Sequence, residues 1–388
     1  MVMASERRVA LILPPKERFT AGGAGAVALI LRDLARASPP GWRSEVWGAE
    51  PGGPPFAGVA FRPVRPTLAQ RLLSGRNGAF ARAVARALAA DPPAVVEAHN
   101  RTAVALAIAA ALPRTPVMLV LHNEARQSEG LATATERAAV LQRLAGIVCV
   151  SDFLCRGVVE GLPAEAAARV HVLPNGLPLA EMPPPLPMPD RERRILFVGR
   201  LVPEKGPDSF IAACARALPA LPGWRAAIVG ARRFGESSDS PFVRALRQQA
   251  AAAGVEMLGF RDNAETLRLM ARAAIVVVPS RWHDPFPRVA QEALACGAAL
   301  ITSGRGGLPE ATGEAALTAD PDDPEALAQA ILRLAGDAAL RADLAARGKR
   351  HIAHFALPVI ADRWRVLRER LLAGHGTAPS TGAARRVP

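Results

Sequence analysis

Two cations follow one predicted strand in the stretch "FVGRLVPEKG", residues 197–206. Arg200 ends the apolar run, and Lys205, one of only three lysines in the chain, lies five residues later. The segment "GPDSF" then opens a helix with Pro207 in its first turn. Because the free N–H groups at a helix start favour an anion, two cations beside them predict a site for a phosphate or diphosphate. The alternative is two solvated loop charges, and the G-x-x-x-x-G-K-S/T pattern of a Walker A loop is absent.

Two carboxylates belong to the stretch "PSRWHDPFPRVAQEALACG", residues 279–297. Asp284 follows a predicted strand, and a helix predicted to begin near Pro287 carries Glu292 in its second turn. Glu292 would direct its carboxylate back toward the strand end, where it can accept hydrogen bonds from the vicinal hydroxyls of a ribose. Asp284 could accept hydrogen bonds from sugar hydroxyls. The alternative is that Glu292 is a partly buried helix residue paired with an arginine.

A glycine-rich loop, "TAGGAGAVAL", lies near the amino terminus. Gly22, Gly23 and Gly25 would let the backbone approach a phosphate closely. The residues from Gly23 onward also spell G-x-G-x-x-A, the dinucleotide fingerprint, with Glu45 twenty residues beyond Gly25. That fingerprint should follow its strand directly, whereas eight residues intervene here. An NAD-dependent Rossmann enzyme therefore stays an alternative.

Two histidines end predicted strands, His99 in "AVVEAHN" and His122 in "PVMLVLHN". A histidine that faces a strand-end crevice is a candidate to exchange a proton with a substrate or to bind its hydroxyl, although a lone histidine is more often structural. A third pattern, "DPDDP" at residues 320–324, has a D-x-D spacing that could hold a metal. Because it precedes a helix, we interpret it as a helix cap and predict no metal site.

Short apolar strands alternate with helical patterns along the chain, which predicts parallel sheets covered on both faces. Residues 1–176 form one predicted domain and residues 195–357 a second, joined by a proline-rich linker at 177–194. A last amphipathic helix, 358–373, is expected to pack back on the first domain, and 374–388 to be a disordered tail. In open α/β sheets ligands bind beyond the carboxyl ends of the strands, so the chemistry is expected in a cleft between the domains.

The charge of the chain suggests an anionic partner. The formal net charge is +13, and residues 51–90 contain no acidic residue but six arginines: Arg62, Arg65, Arg71, Arg76, Arg82 and Arg86. Tyrosine is absent, few aromatic residues are available to stack bases, and there is no zinc-finger or RNP-like motif, so we predict no nucleic-acid partner. Residues 69–91 have the composition of a basic interfacial helix, with Leu72, Leu73, Phe80, Val84 and Leu88 among the arginines. The alternatives are an anionic membrane or acidic glycolipid partner and merely solvated helix faces.

Two features bear on location. No apolar stretch reaches the length of about 18 to 20 residues that a membrane span needs, and the amino terminus lacks a secretory pattern. The four cysteines lie in apolar segments without metal spacing, which is typical of buried free thiols. We expect a cytoplasmic protein, with peripheral attachment to the inner face of the membrane as the variant that the basic surface would permit.

Taken together, the stretches "VHVLPNG", "VGRLVPEKGPDSFIAA" and "VPSRWHDPFPRVAQEALACGAALITSGRGGLPE" resemble glycosyltransferase family 4, retaining enzymes with the GT-B fold. The resemblance covers most of the chain and is specific in the second domain. It implies two doubly wound Rossmann-like α/β domains facing a cleft, with the first domain on the acceptor side. It also implies a nucleotide-diphosphate sugar donor such as a UDP-sugar, no cofactor or essential metal, and a glycan or glycolipid acceptor in lipopolysaccharide, capsule or exopolysaccharide synthesis.

The resemblance assigns roles residue by residue. Arg200 and Lys205 would hold the donor diphosphate, Glu292 the ribose, and Asp284 the donor sugar, while His122 would contact the sugar. The expected catalytic set is Arg200, Lys205, His122 and Asp284. The expected donor-binding set is Gly22, Gly23, Arg200, Lys205, Arg261, Asp284, Phe286, Pro287, Arg288, Val289 and Glu292.

Two residues depart from the family pattern, which usually has Glu at the position of Asp284 and Gly at the position of Pro287. A shorter carboxylate reaches less far and proline offers no N–H, so the donor sugar stays open. A non-catalytic protein that binds nucleotides or an anionic polymer is the alternative from another class.

Overall fold

The computed structural model describes residues 6–232 and 240–375 and contains two parallel sheets, each wound by helices. The first sheet has the strand order β3-β2-β1-β4-β5-β6-β7. Its strands are β1 (Arg7–Ile12), β2 (Trp42–Gly48), β3 (Ala60–Pro63), β4 (Val95–His99), β5 (Val117–Leu121), β6 (Gly146–Cys149) and β7 (Val170–Val172). The connecting helices are α1 (Ala26–Arg36), α2 (Leu68–Ala90), α3 (Thr102–Ala111), α4 (Ala134–Arg143), α5 (Asp152–Val159) and α6 (Ala164–Ala167).

The second sheet has the order β10-β9-β8-β11-β12-β13. Its strands are β8 (Glu192–Val198), β9 (Arg225–Val229), β10 (Val255–Gly259), β11 (Ala273–Val278), β12 (Ala299–Thr302) and β13 (Ala316–Thr318). The helices of this half are α7 (Pro207–Ala217), α8 (Pro241–Ala252), α9 (Asn263–Arg272), α10 (Arg288–Ala295), α11 (Leu308–Thr312), α12 (Pro324–Gly336), α13 (Ala338–Ile352) and α14 (Leu357–His375). The predicted GT-B architecture of two doubly wound α/β units is confirmed.

The central strands form because continuous apolar runs can be buried on both faces only inside a helix-covered parallel sheet. Every residue of β5 and of β11 is buried. In each sheet the strand order reverses between the first strand and the strand beside it, β1 with β4 and β8 with β11. A crevice opens at such a reversal, beyond the carboxyl ends of the strands.

Three strands that the sequence analysis did not predict, β2, β3 and β13, lie toward the sheet edges. Their sequences interrupt the apolar pattern with polar residues. In β2, Glu45 is buried only because its carboxylate pairs with Arg43 at 3.2 Å and with Arg62 at 3.3 Å. Such pairing is a tertiary property, so hydrophobic periodicity could not reveal these strands.

The segment predicted as a linker, 177–194, is anchored along its length. Leu177 pairs with the chain just before α14, accepting a hydrogen bond from the Leu357 N–H at 2.8 Å. Arg191 is buried and donates hydrogen bonds to the carbonyl oxygens of Ala273 at 2.9 Å and Cys296 at 2.6 Å. The strand β8 then begins at Glu192.

The last helix, α14, contacts the first sheet through a buried ion pair. Arg368 donates to both carboxylate oxygens of Glu97 on β4, at 2.7 and 3.2 Å, and neither side chain exceeds 2% exposure. Its guanidinium also lies over the rings of Trp42 and Trp364. Burying two charges costs desolvation free energy that this bidentate geometry offsets. The predicted tail lies outside the described residues from position 376 onward.

The helix α2 is kinked at Gly75, whose φ of 61° and ψ of 178° are not helical. After the kink Phe80, Val84 and Leu88 are buried in the core, while Arg82 and Arg86 are exposed. The prediction of an interfacial apolar face is therefore wrong for this half of the helix, because the core takes its apolar side chains. The structure does not describe four side chains of the first half of this helix, those of Arg71, Leu72, Leu73 and Arg76.

Candidate functional site at the carboxyl ends of β8 and β11

The first two elements of the site meet through Lys205 and Asp284. Lys205 ends a single 3-10 turn after β8, and Gly206 caps α7 with a left-handed φ of 69°. A Cβ at Gly206 would overlap the carbonyl oxygen of Pro279, so only glycine fits this position. The turn aims the Lys205 ammonium at the carboxylate of Asp284, with which it forms an ion pair. Two residues from different strand ends are thus brought together, beside the start of α7.

Arg200 lies in the same region but is exposed. Within residues 6–232 and 240–375 its guanidinium has no ion pair or side-chain hydrogen bond. The adjoining loops are held by the Glu204 carbonyl oxygen, which accepts hydrogen bonds from the N–H groups of Arg281 at 2.9 Å and Trp282 at 3.1 Å. Arg200 is therefore an exposed cation on the loop that leads from β8 to Lys205.

Glu292 combines the two predicted alternatives, a carboxylate that could accept a ligand's hydrogen bond and a buried helix residue paired with an arginine. It is buried on α10, and its Oε1 accepts hydrogen bonds from Arg288 Nε at 2.8 Å and Asn263 Nδ2 at 3.3 Å. Its Oε2 makes no hydrogen bond to any described residue and is not sealed from solvent. The pairing with an arginine is present, and one carboxylate oxygen is still free to accept a ligand's hydroxyl.

The side chain of Arg288 is not available to a donor. It is buried, and its Nη2 pairs with Asp33 Oδ2 at 2.9 Å in addition to the Glu292 contact. Burial by itself would lower the pKa of Arg288, but the carboxylates of Glu292 and Asp33 outweigh it and raise that pKa. Phe286 is likewise buried, against Phe355, with ring centroids 5.3 Å apart. The side chains of Phe286 and Arg288 in the predicted donor-binding set thus serve packing, and only their backbone can face a donor.

The rest of that segment sits at the start of α10. Pro287 is the N-cap residue, without an N–H to offer, and Val289 is half-buried. Arg261, at the end of β10, donates to the Phe260 carbonyl oxygen at 3.0 Å and pairs with Glu265 at 2.9 Å. Asn263, two residues later, donates to Glu292 Oε1, so the loop after β10 contacts the Glu292 carboxylate.

The loop that follows β12 closes the other side. The Gly307 N–H donates to the Asp284 carbonyl oxygen at 2.7 Å, and a Cβ at Gly307 would overlap the backbone of Pro285. Glu310, in α11, accepts hydrogen bonds from the N–H groups of Asp152 and Phe153, both at 2.6 Å. Those N–H groups open α5 of the first unit, so a carboxylate from the second unit caps a helix of the first. The sequence analysis missed Glu310, although it ends the quoted stretch "GGLPE".

The two histidines come together on the first sheet. His99 Nδ1 and His122 Nε2 are 2.8 Å apart, and the His122 N–H donates to Asn100 Oδ1 at 2.7 Å. Burial lowers the pKa of His122 to about 4 and lowers that of His99 well below its ordinary value. His122 keeps some accessible surface, but its Nδ1 and the Nε2 of His99 are buried without a partner among the described residues. Burial thus favours the neutral form of both imidazoles, and each ring has one nitrogen in their mutual contact and the other buried, so neither presents an open nitrogen to a ligand in this arrangement.

The glycine-rich loop precedes α1. The space around Gly22 is open, whereas a Cβ at Gly23 would touch Arg18 at 3.3 Å. The Glu17 carboxylate accepts a hydrogen bond from the Gly25 N–H and occupies the start of α1, and burial raises the pKa of Glu17. For the NAD alternative, Glu45 would have to bind a ribose. It is buried in ion pairs with Arg43 and Arg62, so that role is not open to it.

The "DPDDP" segment caps a helix, as predicted, through Asp323. Asp323 Oδ1 accepts from the N–H groups of Glu325 at 3.0 Å and Ala326 at 3.1 Å at the start of α12. Asp322 pairs with Arg281 at 2.8 Å and with Arg305 at 2.7 Å. In the described part of the chain no cluster of His, Cys, Asp or Glu has metal-binding geometry. The same residues include no helix long and apolar enough to cross a bilayer.

Comparison with known proteins gives a consistent result. Two family models match, "Glycosyltransferase Family 4" over residues 21–181 and "Glycosyl transferases group 1" over residues 180–351. YtcC of Bacillus subtilis (strain 168), which carries a provisional glycosyltransferase name, is 30% identical over 299 residues, 70% of this chain and 71% of that protein. Seven further curated relatives are matched over 22% to 61% of their own length.

Two solved structures have the same fold. Sucrose-phosphate synthase from Thermosynechococcus elongatus superimposes with a TM-score of 0.76 at 22% identity, covering 95% of this chain and 100% of that one. Anabaena Alr3699/HepE in complex with UDP and glucose gives a TM-score of 0.74 at 20% identity, with 94% and 100% coverage.

Proposed function

Because the chain belongs to glycosyltransferase family 4, we propose that it is a retaining enzyme that transfers a sugar from a UDP-sugar to a glycan or glycolipid. The observation that carries the proposal is the ion pair of Lys205 with Asp284, which joins the loops after β8 and β11 beside the start of α7, with Arg200 exposed two residues after β8. The UDP and glucose in the HepE structure support UDP as the nucleotide. Membership of this family argues against the two alternatives, an NAD-dependent Rossmann enzyme and a non-catalytic protein that binds nucleotides or an anionic polymer.

The donor diphosphate would lie between Arg200, Lys205 and the first N–H groups of α7. Charge builds on the leaving nucleotide diphosphate as the bond to the sugar breaks. Two cations and a helix start that are already in place stabilise that charge without reorganising during the reaction. This arrangement supplies the stabilisation from side chains and backbone, and we propose that transfer needs neither an essential metal nor a cofactor.

The sugar moiety would face Asp284 and the backbone of residues 286–289, and the loop of Gly22 and Gly23 would lie over the donor phosphates. Asp284 can accept hydrogen bonds from sugar hydroxyls while its other contact, Lys205, is drawn to the diphosphate. His122 would contact the sugar through the part of its ring that stays accessible. We assign no side chain as a covalent nucleophile, and same-face attack by the acceptor accounts for retention.

A panel of UDP-, GDP- and ADP-sugars tests the proposal. Binding is measured by calorimetry, and turnover by release of nucleoside diphosphate with and without candidate acceptors. We expect binding and slow hydrolysis with UDP-sugars. Absence of binding and hydrolysis across the panel, in protein shown to be folded, would refute the donor assignment.

We propose the class of acceptor from the exposed positive charges of the first unit. Arg82 and Arg86 are exposed on the first unit, whereas Arg62 and Arg65 pair with Glu45 and Glu50. Near an anionic bilayer each cation could contribute about 1 kcal/mol, so several would hold the enzyme reversibly. A lipid-linked intermediate of lipopolysaccharide, capsule or exopolysaccharide synthesis at the inner face of the membrane fits such a surface.

Co-sedimentation with vesicles of varied anionic lipid content tests that surface. The parent and a variant with Arg71, Arg76, Arg82 and Arg86 changed to Gln are compared at low and high salt. We expect binding that rises with anionic lipid, falls with salt and weakens in the variant. Binding that ignores lipid charge and salt would rule out electrostatic docking and leave the donor site untouched.

A further inference from the structure

A buried guanidinium connects the two halves of the chain. Arg288 is the first residue of α10, a position where the helix dipole disfavours a cation. It nevertheless has only 7% of its side chain exposed. Its burial is compensated by Asp33 on α1 and Glu292 on α10, at 2.9 and 2.8 Å. Neither carboxylate has more than 8% of its side chain exposed, so the three charges form one water-poor cluster.

The cluster uses the guanidinium nitrogens unequally. Nη2 forms an ion pair with Asp33 Oδ2 that lacks hydrogen-bond geometry, Nε donates to Glu292 Oε1, and Nη1 is buried without a partner among the described residues. Asp33 is held in turn by Arg32, whose Nη2 lies 2.6 Å from its Oδ1. Arg288 therefore satisfies Glu292 through one oxygen only, and Oε2 is left accessible.

We propose that Asp33 is a positioning residue for the ribose-binding carboxylate of Glu292, and that it acts by holding Arg288 Nη2. The inference rests on the proposed function, and in it on the ribose-binding role that the family resemblance implies for Glu292. Without the Asp33 carboxylate, Nη1 and Nη2 would both lack partners in a buried site. A guanidinium in that state turns to the nearest carboxylate and forms a bidentate pair. The nearest carboxylate is Glu292, and the second contact would take the Oε2 that the ribose needs.

The Asp33–Arg288 ion pair makes the state of Glu292 depend on contact between the two units. Asp33 belongs to the first unit and Glu292 to the second, so Oε2 is free only while the two units are in contact at α1 and α10. The contacts of Glu310 with α5 and of Gln291 Nε2 with the Asn175 carbonyl oxygen, at 3.2 Å, lie at the same boundary. Nucleotide affinity thereby depends on a residue that touches no part of the nucleotide.

The test compares the affinity of UDP with that of 2′,3′-dideoxy-UDP by calorimetry, which isolates the contribution of the ribose hydroxyls. A hydrogen bond to a charged group predicts a preference for UDP of about tenfold or more in the parent. Glu292→Gln should reduce this preference below about threefold, and Asp33→Asn should do the same without weakening dideoxy-UDP binding. Asp343→Asn, which removes an exposed carboxylate of α13, is the matched control and should leave the preference unchanged.

The double variant Asp33→Asn/Arg288→Met separates positioning from a general loss of packing. Removing the guanidinium removes the competitor for Oε2, so the preference for UDP should return to about the parent value. Melting temperatures verify folding, and Asp33→Ser serves as the second neutral variant if Asp33→Asn does not fold.

The outcomes distinguish the positioning role of Asp33 from the ribose-binding role of Glu292. If the parent prefers UDP and Glu292→Gln loses the preference while Asp33→Asn keeps it, the role of Asp33 is refuted and that of Glu292 stands. Failure of the double variant to recover the preference also refutes the capture mechanism. If the parent does not discriminate between the ligands, the ribose role of Glu292 fails and the inference falls with it.

Discussion

Replacement of Lys205 by alanine is expected to lower transfer by a hundredfold or more. The ammonium would contribute one charge-assisted hydrogen bond to the diphosphate, worth roughly 1.5–3 kcal/mol. Its removal also leaves Asp284, with 10% of its side chain exposed, as an uncompensated carboxylate beside a departing anion. Both effects raise the barrier in the transition state, and about 2.7 kcal/mol corresponds to a hundredfold.

The assay is kcat/KM for a UDP-sugar, measured by nucleoside diphosphate release, with folding checked by thermal melting. Lys205→Arg keeps the charge and should retain more activity than Lys205→Ala. Lys349→Ala is the matched control, because Lys349 is an exposed lysine on α13. A folded Lys205→Ala protein with kcat/KM within a factor of about three of the parent would refute the diphosphate assignment.

Four further outcomes are expected. Arg200→Ala should also lose about a hundredfold in kcat/KM, and near-normal kinetics would remove Arg200 from the site. Transfer should survive EDTA; complete loss that magnesium or manganese restores would contradict metal independence. Glu97→Gln should destabilise the fold by about 3–5 kcal/mol in urea unfolding, because Arg368 then lacks its buried partner, and a change below about 1 kcal/mol would count against that pair. The pKa of His122 is about 4 in the folded state and 6.5 ordinarily, so the stability that its neutral form contributes is present above pH 6.5 and lost as pH falls toward 4. In His122→Gln, the free energy of unfolding in urea should therefore fall less steeply than in the parent between pH 6.5 and 4. The same pH dependence in both proteins would refute the lowered pKa.

The sequence by itself determined the two parallel sheets and the loops that carry the site. Continuous apolar strands between amphipathic helices have few arrangements other than a helix-covered parallel sheet. The sequence placed Lys205 and Asp284 after two predicted strands, and their pairing followed once the folded sheet made β8 and β11 neighbours. The start of α10 near Pro287 likewise fixed the position of Glu292.

The tertiary structure alone decided which charges are compensated. Arg288 fits a helix surface in the sequence pattern, yet it is buried because Asp33 and Glu292 reach it from two elements. Asp33 could have been noticed as a carboxylate on the apolar stripe of α1, but its partner could not. Glu310 caps a helix 158 positions earlier in the chain, and Arg368 pairs with Glu97 across 271 positions. Local periodicity carries no information about contacts at such separations, whereas the low dielectric of the interior makes every buried charge depend on them.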